Sequence, residues 1–210
     1  WKEEVANPYE HKLDFHLSRI CSKQRFLQLI HDFIVFDAGV KKTCRHNQYF
    51  GIQAAKHYIA KRQGGIIWHT QGSGKSLTMV WLAKWIRENV TDSRVLIVTD
   101  RTELDEQIEK VFTGVEEDIY RTTSGADLIG TLNQPNPWLV CSLVHKFGRQ
   151  SDAESDAATD EFIAELRKSL PSDFKAKGDL FVFVDECHRT QSGKLHEAMA
   201  SILPEAMFVG

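Results

Sequence analysis

The amino-acid sequence predicts an α/β fold in which a parallel sheet is flanked by helices, with a helical segment ahead of it. Three observations carry that prediction. After Gly64 and Gly65, short apolar runs of strand length alternate with segments of helical periodicity, the rhythm of a parallel sheet with crossover helices. A glycine-rich stretch, His69-Thr70-Gln71-Gly72-Ser73-Gly74-Lys75-Ser76, falls where the first of those runs gives way to a helix. A wholly apolar run, Leu180-Phe181-Val182-Phe183-Val184, ends on two acids, Asp185 and Glu186.

From Leu17 to Ile34 the apolar residues Leu17, Ile20, Cys21, Leu27, Ile30, Phe33 and Ile34 fall at helical spacing, so residues 1–40 read as a helical lead-in. Gly39 separates it from residues 41–210, the sheet-bearing lobe. Gln48 to Lys61 reads as a second amphipathic helix. The expected strands are Gly65 to Trp68, Val95 to Thr99, Trp138 to Ser142, Leu180 to Val184 and Met207 to Val209. Between the first two, Leu77, Val80, Trp81 and Trp85 stripe one face of a helix. Between the second and third, Thr102 with Asp105 can cap a helix that buries Leu104, Ile108, Val111 and Phe112. Gln150 to Asp160, rich in Ser, Asp and Ala, reads as a surface insertion before a short helix at Phe162 to Leu170. Trp1 rather than Met stands first, and Met207 to Val209 reads as a strand cut off in mid-sheet, as in an excised piece of a longer chain.

With 210 residues, 42% of them hydrophobic and 26% charged, the chain can bury a sizeable core and is not of disordered composition. Its net charge of −3 and pI near 6.3 do not suggest a uniformly nucleic-acid-binding surface. Charge is unevenly spread, however. Lys41, Lys42, Arg45, Lys56, Lys61 and Arg62 occur in a stretch without acids, whereas Ser151 to Glu165 is acidic throughout. Cys21, Cys44, Cys141 and Cys187 stand far apart, which argues against a zinc site or a disulfide framework and for a reduced, cytoplasmic setting. No apolar run reaches the ~18 residues of a membrane span. His11, His16, His31, His46, His57, His145 and His196 lack metal-ligand spacing, and Trp68, Trp81 and Trp85 read as core.

The glycine-rich stretch fits the phosphate-binding loop G-x-x-x-x-G-K-[ST] except at its first position, which is His69. Gly72 and Gly74 let successive backbone amides turn toward phosphates, and the helix that starts there adds its positive end. Lys75 supplies a mobile charge to the β and γ phosphates, and Ser76 a hydroxyl to magnesium. The core of this pattern arises by chance in roughly one chain in a hundred of this length. The setting between strand and helix therefore decides for a nucleotide site. Asp185 and Glu186 stand at the carboxyl edge of a buried strand, where open sheets bind ligands. Asp185 is placed to hold magnesium through its water shell, and Glu186 to orient the attacking water.

These residues resemble superfamily 2 helicases and translocases, and among them the motor (R) subunit of type I restriction enzymes. Asp185-Glu186-Cys187-His188-Arg189-Thr190-Gln191 is similar to that family's D-E-A-H-R-[ST]-Q, with Cys187 for alanine. His69 to Ser76 is similar to its H-T-Q-G-S-G-K-[ST]. Arg45-His46-Asn47-Gln48 resembles its R-x-Y-Q, Val98-Thr99-Asp100-Arg101 a motif that touches the DNA backbone, and Ser142 to Phe147 its T-T-I-Q-K-F element.

The resemblance implies a RecA-like phosphate-loop fold, here the first motor lobe cut before the T-G-T-P motif. It implies ATP and Mg²⁺ as cofactors, with Gln48 reading adenine and Thr70, Gln71, Gly72, Ser73, Gly74, Lys75 and Ser76 around the phosphates. Lys75 and Glu186 are the implied catalytic groups, Ser76 and Asp185 the magnesium ligands, and Arg101, Ser142 and Lys146 the DNA contacts. The implied activity is ATP-driven translocation of double-stranded DNA ahead of cleavage, with modification and specificity subunits as partners. The family's nuclease domain and second lobe are not in this sequence, so the piece alone is expected to be inactive.

Overall fold

The computed structural model describes residues 3, 11–70, 72–99, 102–144, 152–184 and 190–210, with backbone alone at 102–107, 152–158 and 190–192. Two short helices, α1 (Lys12–Ile20) and α2 (Lys23–Asp32), come first. The single helix expected from Leu17 is thus broken. Cys21 ends α1, and Ser22, at φ −57° and ψ 136°, restarts the chain as the N-cap of α2. Apolar spacing does not reveal a reset this short.

Ile34 belongs not to a helix but to β1 (Ile34–Asp37), which pairs antiparallel with β2 (Val40–Thr43). Ala38 and Gly39 connect them with φ of 47° and 78°, the left-handed values that a two-residue hairpin turn needs to match strand twist. Four-residue strands are too short to announce themselves by alternation. The hairpin straddles the boundary expected at residue 40, and Phe33 and Val35 share one core cluster with Trp81 and Val95.

Then follow α3 (His46–Ala60), α4 (Lys75–Asn89), β3 (Ser93–Thr99), α5 (Thr102–Gly114), β4 (Tyr120–Arg121) and α6 (Gly125–Leu132). The chain continues through β5 (Leu139–Leu143), α7 (Asp152–Ser169), β6 (Asp179–Val184), α8 (Thr190–Ile202) and β7 (Met207–Val209). Strands β4, β5, β3, β6 and β7 lie side by side in that order, all parallel. The expected parallel α/β class is therefore what the chain forms.

Both faces of this sheet are covered, as parallel sheets require. On one face Val95 and Ile97 of β3 and Phe181 and Phe183 of β6 meet α3, α4 and α5, with Trp81 and Phe112 at the centre. On the other, Leu96, Val98, Val182 and Val184 meet Leu128, Phe162, Leu166 and Met199 from α6, α7 and α8. Alternate residues of one strand thus serve two cores.

Three expectations need correction. The strand expected at Gly65 to Trp68 is reduced to one bridge, Gly65 with Val209, and three backbone bonds. Gly65 donates to the Phe208 carbonyl (3.1 Å), Gly210 to that of Gly65 (2.9 Å), and Ile67 to that of Gly210 (2.6 Å). Trp68, expected in the core with Trp81 and Trp85, is 76% exposed. The insertion expected over 150–160 is instead helical from Asp152, because Ala is the best helix former and acids suit a helix's amino end.

The end of the sheet away from the loop is secured by Arg94, 1% exposed at the start of β3. Its Nε donates to the Pro137 carbonyl (3.1 Å), one terminal nitrogen to Leu132 (3.1 Å), Gln134 (2.6 Å) and Lys177 (3.2 Å), and the other to Thr131 (3.1 Å). Thr131 and Leu132 end α6, where a cation meets the negative pole of the helix. Burial lowers the guanidinium's pKa, opposed by the nearby Asp92 charge.

Candidate nucleotide site

The chain enters the loop from the bridged segment at 65–67 and turns twice in the left-handed region, at Gly72 (φ 75°) and Gly74 (φ 87°). Side chains rarely adopt these angles, so the glycines determine the loop's shape. The amide of Ser73 closes a turn on the Thr70 carbonyl at 3.2 Å. Gly74 is the N-cap of α4, and Lys75 is the first helical residue.

The loop is held from behind. The Gly74 carbonyl accepts from the Thr78 amide (3.1 Å), the Thr78 hydroxyl (3.2 Å) and Gln48 Nε2 (2.9 Å). The Gly72 carbonyl accepts from a guanidinium nitrogen of Arg45 at 3.1 Å. With these carbonyls committed to protein donors, the positive amino end of α4 is what an anion would meet. Ser73 adds a buried hydroxyl that has no partner among the described residues. This donor set fits a triphosphate.

Gln48 is 2% exposed, and its carboxamide serves two internal partners. Its Oε1 accepts from the Arg45 amide at 2.8 Å, half of a capping box for α3, while Nε2 reaches Gly74. One N–H and one lone pair remain on the group. A bidentate contact with an adenine edge uses that combination.

At the carboxyl edge, β3, β5 and β6 end side by side, with Thr99 opposite Leu143 and Val98 opposite Val184. Asp185 and Glu186 follow Val184 directly in the chain but lie outside the described residues, as do Gln71, Arg101 and Lys146. Thr70 is exposed, and Lys75 and Ser76 are half-buried.

Ser142 is 1% exposed, and its Oγ is 3.0 Å from the Thr122 hydroxyl on the face of β5 turned toward α6 and α7. The DNA contact expected of it does not fit, because the strand's pleat turns this side chain inward. Nor does the basic stretch form one surface. Lys56 pairs with Asp32 (2.7 Å), Arg62 with Asp179 (2.6 Å), and Arg45 holds the loop; Lys41, on the hairpin, and Lys61, after α3, are exposed without a described side-chain partner and stand on different elements. No group of three or more potential metal ligands occurs among the described residues.

Sequence reasoning missed the grip of Arg45 and Thr78 on the loop. The signal was present, since residues three apart on α3 share a face and Thr78 stands one helical turn after the glycine cap. Nothing in one sequence says which carbonyls they reach.

A parallel sheet covered on both faces, with a glycine-shaped loop opening a helix beside it, defines a phosphate-loop α/β protein of the nucleotide-binding class. The chain belongs to the SWI2/SNF2 ATPase family, whose model matches residues 47–210. It is similar to the putative type I restriction enzyme MjaIXP endonuclease subunit of Methanocaldococcus jannaschii, at 28% identity over 97% of this chain and 19% of the relative. The HindI endonuclease subunit of Haemophilus influenzae is 24% identical over 96% of this chain and 21% of its own length. The chain thus spans about a fifth of the length of the curated relatives it matches.

Among solved structures, the UvsW helicase of bacteriophage T4 superposes with a TM-score of 0.54 at 16% identity, covering 90% of this chain and 59% of that one. The Type ISP restriction-modification enzyme LlaGI, solved with a DNA substrate mimic, gives 0.53 at 16% identity over 80% of this chain and 17% of its own. These two support the RecA-like fold. The relatives agree with the restriction-enzyme resemblance read from the motifs.

Proposed function

We propose that the chain is the first motor lobe of a type I restriction enzyme R subunit, which binds and hydrolyses ATP to drive translocation along double-stranded DNA before cleavage. The observation that carries this reading is the loop itself, shaped by Gly72 and Gly74 and tied back through its carbonyls to Arg45, Gln48 and Thr78, with the buried Ser73 hydroxyl left without a partner among the described residues.

In this reading Lys75 neutralises the β and γ phosphates, and Thr70, Gln71, Gly72, Ser73 and Gly74 wrap them. Gln48 reads the adenine edge with the donor and acceptor it has left. Ser76, and Asp185 through water, hold Mg²⁺, which when bound offsets phosphate charge. Glu186 orients the attacking water. Arg101 and Lys146 contact the DNA backbone. Modification and specificity subunits are the partners, in the cytoplasm. A transition-state arginine, worth ~10³- to 10⁵-fold in such enzymes, comes from outside this lobe.

The test is titration with ATP·Mg by calorimetry, alongside phosphate release with and without duplex DNA. The expected result is weak binding and negligible turnover by this chain, and DNA-stimulated turnover in a chain of its relatives' length. Lys75→Ala should abolish binding without lowering the melting temperature. Glu186→Gln should keep binding while turnover in the longer chain falls ~10²- to 10⁴-fold. Undiminished binding by folded Lys75→Ala would remove the phosphate-loop assignment. Binding without DNA-stimulated turnover in the longer chain would mark a nucleotide-dependent DNA-binding switch instead.

A further inference from the structure

Helix α3 faces the phosphate loop with three positions spaced three residues apart, which places them on one side of the helix. Arg45 and Gln48 hold the Gly72 and Gly74 carbonyls. The third position is Gly51, in the helix interior, where glycine is the least favourable residue after proline. A mid-helix glycine marks a packing or functional reason, and here the reason is close approach. A β-carbon on Gly51 would stand 3.3 Å from Nε2 of His69, 3.6 Å from its Cε1 and 3.3 Å from Cγ2 of Ile67. The half-buried imidazole of His69 therefore rests on the backbone of α3.

His69 is also the position at which this loop departs from the general pattern, which has glycine there. A ring takes the place of a hydrogen atom, and the helix opposite gives up its side chain. We propose that His69 is a positioning residue that keys the entrance of the phosphate loop into α3 at Gly51, so that the helix supplies the glycine the loop lacks. This rests on the nucleotide-site reading above. Together with Arg45 and Gln48, the imidazole fixes the loop's entrance, its first glycine and its second against one helix. None of the three needs to touch the nucleotide for the loop to be held ready for it.

The test is a double-mutant cycle on ATP·Mg affinity with Gly51→Ala, His69→Ala and the pair, each checked by circular dichroism melting. Each single change is expected to weaken binding about tenfold, and the double change no more than the weaker-binding single, since both remove one contact. His69→Phe, which keeps a flat ring of similar reach, should retain most of the affinity. Additive losses, or a single variant that binds like the parent, would overturn the proposal. If Gly51→Ala melts early, relief of that loss by adding His69→Ala supports the contact, and absence of relief overturns it. Lys75→Ala separates the two levels. Retained binding there removes the nucleotide site itself, whereas lost binding beside an additive cycle removes only the role of His69.

Discussion

Gly74 and Gln48 fit so closely that a β-carbon on the glycine would stand 2.6 Å from the carboxamide nitrogen. Gly72, by contrast, has open space in the direction of a β-carbon. Both have left-handed φ, so alanine at either position carries a backbone penalty of about 1–2 kcal/mol. Only Gly74→Ala adds a steric collision. It is expected to lower both melting temperature and ATP affinity more than Gly72→Ala, and shortening the opposing side chain with Gln48→Ser should recover part of the difference in melting temperature. Equal effects at the two glycines would show that the contact with Gln48 carries no energy.

Arg94 provides a test of the opposite end of the sheet. Lysine in its place keeps the charge but cannot reach backbone carbonyls of α6, the loop after it and the segment before β6 together. Each buried acceptor left unpaired costs about 1–3 kcal/mol. Arg94→Lys should therefore destabilise by roughly 3 kcal/mol, a fall in melting temperature of about 6–12 °C. The folded fraction should still bind nucleotide normally, because the residue is remote from the loop.

Asp32 links α2 to α3 through Lys56 at 2.7 Å. Burial pushes its pKa up, but hydrogen bonds from Lys56, His31 and Gln28 outweigh that and hold it below the ordinary value. A depressed folded-state pKa gives stability that is complete above the unfolded value near 3.9 and is lost as pH falls through the folded one. His31 runs the other way. The hydrogen bond and charge of Asp32 raise its pKa, so its small contribution is complete below pH ~6.5 and fades as pH rises. Melting followed from pH 7 to pH 2 should show Asp32→Asn less stable at neutrality and less sensitive to acid. Parallel profiles for the two proteins would exclude this pair as a source of the acid response.

The thiols give a test of the core independent of any ligand. Burial pushes the Cys44 thiol up to about 12, and Cys141 lies inside the sheet, whereas Cys21 is exposed between α1 and α2. Of the three described thiols, iodoacetamide at pH 8, read by peptide mass spectrometry, should label Cys21 first and reach Cys44 and Cys141 only on unfolding. Early labelling of Cys44 would mean that the hairpin does not cover it.

What the sequence disclosed, it disclosed through strong local signals. The continuous apolar runs at β3, β5, β6 and β7 and the glycine pattern of the loop were legible, because burial on both faces and left-handed turns restrict residue choice severely. Four-residue β1 and β2, two-residue β4 and the break at Ser22 were not, since each is too short for a repeated pattern to stand out from its neighbours. At the site, residue identities were readable but partnerships were not. Gln48 was visible as a family position, yet its hold on Gly74, the inward turn of Ser142 and the seat of His69 on Gly51 all depend on which elements lie side by side.

The segment leading into the phosphate loop is joined to β7 and its continuation by backbone bonds from the amides of Gly65, Gly210 and Ile67, with Ile66 68% exposed. The segment lies at the edge of the sheet, beyond β7, and those amides should exchange with deuterium before those of the central strands β3 and β6. Because α3 and α4 grip the loop from its other side, fraying at the strand and seating of the loop draw on the same backbone. Nucleotide that requires the seated loop would then slow exchange at Gly65 and Ile67 in proportion to its occupancy, by mass action. The margin of the sheet thereby becomes a gauge of how full the nucleotide site is.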